Sequence, residues 1–220
     1  MAQQSISKSA ARSARAYRSE LRQRQAEQTR SRVLAAAAEL FAEFGYTRTT
    51  FAKIAEAAGV SPETVQGHGP KAALMIAAVE YAGVGVAGEE NIFNLETGRR
   101  ILTIQDGTEA LTHIVAVIID IHRRTAPLAP ALYGGAAVDP ELDRYLQELN
   151  ASINRQIERV LGVARDRRWL RDDLPFDELV ETAAVIATVE TYLRLTRSDG
   201  WTPERYGTWC RRMLAENIFR

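Results

Sequence analysis

Four polar side chains crowd into six residues: Glu63, Thr64, Gln66 and His68. Together they offer a carboxylate, a hydroxyl, an amide and an imidazole, the donors and acceptors that read the edges of base pairs. Around them stand groups suited to phosphates. Arg48, Thr50, Ser61 and Lys71 each fall at or next to a predicted helix start, where side chains and free backbone N–H groups meet anions. This is the chemistry of a DNA contact surface. Thr50 and Ser61 also suit plain helix capping. No other spacing in the chain competes. Its three His and one Cys form no metal-ligand set, and no paired carboxylates or glycine-rich phosphate loop stand out. Neither catalytic residues, nor a metal, nor a cofactor is expected, and the chain does not read as an enzyme.

The elements that must position these groups are short helices with clear stops. Val33, Leu34, Ala37, Leu40, Phe41 and Phe44 form one apolar helical stripe, ended by Gly45. Thr49 or Thr50 can cap a second helix with Phe51, Ile54, Ala55 and Ala58 inward, and Gly59 ends it. Ser61-Pro62 opens a third helix that runs to about His68, where Gly67, Gly69 and Pro70 break it. Pro70 starts a fourth. Three helices with this punctuation outline a helix-turn-helix, which lays its recognition helix in the DNA major groove.

Charge supports the same surface. Residues 1–32 carry Lys8, Arg12, Arg15, Arg18, Arg22, Arg24, Arg30 and Arg32 against Glu20 and Glu27, a local +6. The other 188 residues must sum to −6, because the formal net charge is zero. Few apolar anchors occur before residue 28, so residues 1–27 read as a basic flexible arm ahead of an acidic body. The module at 33–75 is not itself basic, which leaves the arm to supply much of the phosphate attraction.

The rest of the chain is all-α by pattern. Residues 83–107 are the least readable, with a short helix predicted near 89–96. Thr108 to Arg124 is apolar on most sides and is predicted as a central buried helix. Asp139-Pro140 opens a long helix to about Trp169, Asp177 caps another to about Arg197, and Thr202-Pro203 opens the last, to about Ile218. No strand and no membrane span is expected. The single Cys210 and the basic, polar N-terminus fit a cytoplasmic protein.

Several of these residues stand in a known frame. Leu40-Phe41-x-x-x-Gly45-Tyr46, Thr49-Thr50, Ile54-Ala55-x-x-Ala58-Gly59-Val60-Ser61 and Lys71-x-x-Leu74 resemble the DNA-binding domain of TetR-type transcriptional regulators. The resemblance covers about 45 residues. It implies a DNA-binding domain over 28–75 and a helical effector-binding and dimerisation domain over 76–220. It also implies a homodimer on a palindromic double-stranded operator, most often a repressor released by a small molecule. One departure matters. The family places Tyr-x-x-Phe after the turn, where the Tyr touches phosphate and the Phe anchors the recognition helix. This chain has Gln66 and Gly69 there, with Gly67 between. Two glycines weaken so short a helix by roughly 1 kcal/mol each relative to Ala. A second reading follows: a ligand- or partner-binding helical protein whose degenerate recognition helix binds no specific DNA.

The family frame also implies an effector cavity between helices from about 90 to 200, largely apolar. The candidate lining is Phe93, His113, Val117, His122, Tyr133, Tyr145, Trp169, Glu190 and Tyr192, each of which also suits ordinary core. His113 and Glu190 are the polar groups placed to orient a ligand, or to pair with each other or with backbone. The last two helices are the expected dimer pair, with Ala183, Ala184, Ala187, Thr191 and Trp209 at the interface, unless those faces pack within one chain.

Overall fold

The structure, a computed structural model, describes residues 2–88 and 91–220, and side chains from residue 19 onward. Among the described residues it is all helical, apart from a single bridge between Leu170 and Phe219. The helices are α1 (Ala2–Arg48), α2 (Phe51–Ala58), α3 (Pro62–Gln66), α4 (Lys71–Val84), α5 (Glu96–Thr103), α6 (Gly107–Thr125), α7 (Ala129–Ala136), α8 (Pro140–Asp166), α9 (Phe176–Ile186), α10 (Val189–Leu193) and α11 (Pro203–Asn217). None of them is long and apolar enough to cross a membrane.

The local signals act largely as the sequence predicts. Thr50 caps α2 by accepting from the Lys53 N–H at 3.3 Å, and Gly59 closes it in the left-handed region. Ser61 caps α3, Asp139 caps α8 and Thr202 caps α11. Four expectations change. The arm read as flexible over 1–27 is continuous with α1 from Ala2. The stretch from there to Phe44 has no glycine or proline and is rich in Ala, Arg, Gln and Glu, which favour helix. The side chains of Lys8, Arg12, Arg15 and Arg18 lie outside those described. Residues 83–107 hold a 3₁₀ turn at Ile92–Asn94 and then α5. Gly98 lies inside α5, packed so closely on the 3₁₀ turn that a Cβ there would strike the Ile92 carbonyl.

The other two corrections concern the C-terminal half. The predicted helix 177–197 is broken: α9 ends at Ile186, Thr188 caps α10, and a π turn spans Arg194–Ser198. Asp177 lies in the first turn of α9 behind Pro175, not at its cap. And α6 is not buried all round. Ala110, Leu111, Val115 and His122 are buried, whereas Ile114, Val117, Ile118 and Ile119 are only half-buried.

Two cores result. The first joins α1–α4 to α7 and the start of α8, through Phe41, Ile54, Val65, Met75, Leu132 and Leu142. It takes in residues from both sides of the boundary read at residue 75. The second joins α6, the end of α8 and α9–α11, through Val115, Leu161, Leu179, Tyr206 and Leu214. The 27 residues of α8 make a strut of about 40 Å, with one end in each core. Past its C-terminus, Arg168 has φ 59°, the one positive φ of a non-glycine residue among those described. That conformation costs an L-residue about 1 kcal/mol.

Candidate nucleic-acid interface and its joint with the body

Six of the eight predicted phosphate and base contacts, Arg48, Thr50, Ser61, Glu63, Thr64 and Gln66, are exposed at the surface. Arg48 donates through Nε to the Phe44 carbonyl at 2.9 Å, closing the end of α1. Ser61 Oγ accepts from the Thr64 N–H at 3.3 Å and lies 3.2 Å from Thr64 Oγ1. Its own backbone N–H, then Ser61, hold the Glu63 carboxyl below the ordinary carboxylate range, so α3 presents a negative charge. On α1, the basic side chains of Arg22, Arg24, Arg30 and Arg32 are exposed.

His68 is not among the exposed contacts. It is half-buried, and its Nε2 is enclosed without a hydrogen-bond partner. Burial first, then the charge of Arg30, lower its pKa, so the ring is neutral. The cause is the chain path. α3 ends at Gln66, and Gly69 turns the chain toward α4 with φ 112°, a region essentially closed to residues with a Cβ. No side chain can serve at position 69 as an anchor, and Val65, fully buried, is the one buried side chain of α3.

Lys71 is engaged elsewhere as well. Its Nζ donates to the Tyr46 carbonyl at 3.2 Å and lies 4.3 Å from the centre of the Tyr46 ring, a cation–π arrangement. Tyr46 in turn donates its hydroxyl to Asp139 Oδ2 at 2.6 Å. Asp139 Oδ1 accepts from the N–H groups of Glu141 and Leu142 and starts α8. Burial and then the Asp139 carboxylate push the Tyr46 phenol pKa up, while the Tyr46 hydroxyl is the main influence holding Asp139 down. Gly135 of α7 completes the joint: a Cβ there would lie 2.7 Å from both the Tyr46 ring and Leu142. A single chain of contacts thus runs from the start of α4 to the cap of α8. Sequence reading uses Tyr46 only as part of a motif and Asp139 only as a cap. Their contact spans 93 positions, and no local signal announces it.

The nine candidate effector residues do not form one lining. His122 is buried against the rings of Tyr192 and Tyr206, at 5.3 and 6.0 Å between centroids. Burial lowers its pKa to about 4, opposed by the Ala187 carbonyl and by Glu190, and its Nδ1 has no partner. Glu190 accepts from the Tyr133 hydroxyl at 2.5 Å. His122, Tyr192, Glu190 and Tyr133 therefore make one cluster linking α6, α10 and α7. The others disperse. His113 lies 3.0 Å from the Thr97 carbonyl, so it pairs with backbone and not with Glu190. Tyr145 packs against the first core. Trp169 covers Gly107 at the start of α6, where a Cβ would lie 3.0 Å from its ring. Phe93, in the 3₁₀ turn, and Val117, on α6, are half-buried.

Of the small residues assigned to dimer contact, Ala183 is buried in the second core of its own chain. Thr191 spends its hydroxyl on the Val185 carbonyl at 2.9 Å, and Ala187 ends α9. Ala184 and Trp209 stay half-buried, and Val185, absent from the prediction, is 68% exposed. Cys210 is buried, and burial pushes its thiol up to about 11, so it is a packing residue.

Known proteins agree with this geometry. Residues 33–78 match the family model described as bacterial regulatory proteins, tetR family. No curated protein matches the sequence. A TetR-family regulator from Rhodococcus sp. superposes with a TM-score of 0.67 at 17% identity, covering 87% of this chain and 99% of that one. A regulator from Saccharomonospora viridis, solved in complex with choline, superposes with a TM-score of 0.64 at 19% identity, over 88% and 99%. NalD of Pseudomonas aeruginosa, the secondary repressor of a multidrug efflux pump, gives 0.63 at 18% identity, over 88% and 98%. At these identities the likeness is one of fold.

Proposed function

From a chain that carries a TetR-family DNA-binding domain at residues 33–78, we propose a ligand-responsive transcriptional repressor. It binds a palindromic operator as a homodimer and is released by a small, largely apolar molecule. The observation that carries this reading is the joint. Lys71, at the start of α4 beside the recognition helix, is bound to Tyr46, and Tyr46 is bound to the cap of α8. A tilt of α8 therefore reaches the start of α4, beside the recognition helix, through two hydrogen bonds. The cluster of His122, Glu190, Tyr133 and Tyr192 is the proposed effector contact, since Tyr133 lies on the same short helix as Gly135. A ligand favouring one setting of α7 would shift the population of DNA-competent dimers. The relatives bound to choline and repressing an efflux pump support a ligand-responsive repressor.

The exposed face of α9 and α11, with Val185 and Trp209, is the proposed dimer contact, and two modules meeting successive half-sites need a dimer. A second reading, with no specific DNA binding, is favoured by the five-residue α3 and its single buried anchor. Selection of bound DNA from a random pool separates the two. Recovery of a palindrome supports the repressor. Retention governed by salt alone supports the second reading. Deleting residues 1–25 is expected to lower the slope of log K against log salt by several units, and an unchanged slope would remove the arm from the proposal.

A further inference from the structure

The end of α8 farthest from the joint carries a concentration of arginine that the DNA reading does not use. The segment Arg165-Asp166-Arg167-Arg168-Trp169-Leu170-Arg171 closes the helix and turns back. Arg168 and Trp169 donate their N–H groups to the carbonyls of Arg165 and Ala164. Arg167 is spent inward, donating to the carbonyls of Leu102 and Ile104 at the end of α5. Arg165 and Arg168 face outward instead.

They border a cleft of about 440 Å³, lined also by Arg171, Asp172 and Arg220 and by the half-buried Leu174 and Phe176. A second hollow of about 400 Å³ adjoins it, sharing Arg165 and Phe176 and adding Arg155, Arg159 and the carboxylate of Glu158. Volumes of this order suit a small ligand.

The charges are unequally compensated. Asp173 holds Arg171 through two contacts of 2.7 and 2.6 Å, and Asp172 meets Arg220 at 3.1 Å. Arg165 reaches no carboxylate closer than Asp166, at 4.0 Å. Its guanidinium is instead stacked 4.1 Å from the Phe176 ring centre, which fixes its plane and leaves N–H groups free for an anion. Arg168 has no ion-pair partner among the described residues, and Arg159 Nη1 is buried without a hydrogen-bond partner. Position 168 adds an independent point. Its left-handed backbone is one that glycine adopts freely and arginine does not, so the side chain is retained against the local preference of the chain.

We propose that this cleft binds an anionic amphiphile, its carboxylate or phosphate head between Arg165 and Arg168 and its apolar body along Phe176 and Leu174. Forked N–H donors on a planar cation match such a head group, and the apolar lining adds contacts that a fully hydrated anion cannot use. The site is separate from the cluster at His122 and does not depend on the repressor reading.

Titration calorimetry of the full chain with decanoate, decyl phosphate, decylamine and inorganic phosphate tests it. Saturable binding is expected for decanoate, decyl phosphate or both, and the stronger of the two names the head group. Decylamine and inorganic phosphate are expected to bind at least tenfold more weakly. Arg168→Gly keeps the backbone setting, so the fold is retained, and is expected to weaken the preferred amphiphile about tenfold. Arg165→Met, which keeps the apolar stem over Phe176, is expected to do the same. Equal binding of decylamine would reduce the site to an apolar hollow, and equal binding of inorganic phosphate would reduce it to a charge patch. Undiminished amphiphile binding in both variants would place the ligand elsewhere, and absence of any binding would overturn the proposal outright.

Discussion

The two ends of the DNA-binding module are built in opposite ways. At the end proposed to meet DNA, α3 has five residues, one buried side chain, and a terminus made by two glycines around a histidine. At the end that faces the body, one tyrosine is fixed through its carbonyl, its ring and its hydroxyl, with a glycine opposite that leaves no room for a methyl group. The recognition end is under-determined and the joint is over-determined. A reader of DNA can complete its order on the target, where phosphate and base contacts supply what the free chain lacks. A joint that passes motion must be fixed beforehand, because only a bistable contact, not a soft one, transmits a small shift.

The largest effect expected under this contrast is at the joint. Gly135→Ala places a Cβ 2.7 Å from the Tyr46 ring and Leu142, and overpacking of this kind costs about 3 kcal/mol. Gly134→Ala is the internal control, since a Cβ there meets nothing within 4 Å. Thermal melts should drop by several degrees for the first and not for the second. Next is the recognition end itself. Gly69→Ala forces an L-residue to φ 112° and should cost about 2 kcal/mol. A larger loss there than at Gly135 would reverse the contrast and make the turn after α3 the better fixed of the two.

Tyr46→Phe follows, at about 1 kcal/mol for one hydrogen bond, and it has a pH signature. The Tyr46 hydroxyl is the main cause holding the folded Asp139 pKa below its unfolded value. The unfolded state therefore binds the proton first, and the contribution is present above the ordinary carboxyl range and lost as pH falls through the folded value. The variant should melt lower at pH 7 and close on the parent in acid. A constant difference across that range would mean that the hydroxyl contributes packing and not a charged hydrogen bond. His122 supplies a second acid response, distinguishable by its range. Its pKa of about 4 lies below the free value, so the parent loses stability from about pH 6.5 down to 4, and His122→Asn should remove that loss.

The contrast also explains what the sequence disclosed. The recognition end is local: Ser61, Pro62, Gly59 and Thr50 act within three or four residues of themselves, and their roles are visible in the chain order. The joint is not local. Tyr46 and Asp139 are 93 positions apart, and Gly135 meets Tyr46 and Leu142 only once α7 is packed in place. The break at Thr188 is concealed for a related reason. Thr188 caps α10 through the Thr191 N–H, while the apolar pattern on either side continues in helical register. His68 misleads by composition, since a polar ring beside base-reading groups gives no sign that its Nε2 turns inward.

The smallest expected effect tests the under-determined end most directly. Gly67 has helical angles, φ −62° and ψ −15°, so alanine there needs no change of path. Its Cβ would lie 3.3 Å from the Thr64 carbonyl and 3.4 Å from that of Glu63, close but within reach of a slight adjustment. Gly67→Ala should therefore stabilise by about 0.5 kcal/mol, through reduced freedom of the unfolded chain. Gel-shift titration on the DNA selected with the parent then carries the decisive reading. If loose order in α3 limits binding, the variant should bind two- to threefold more tightly with the same sequence preference. Weaker binding despite a higher melting temperature would mean that DNA requires α3 to depart from the free conformation at Gly67, and that the freedom at this end is itself part of recognition.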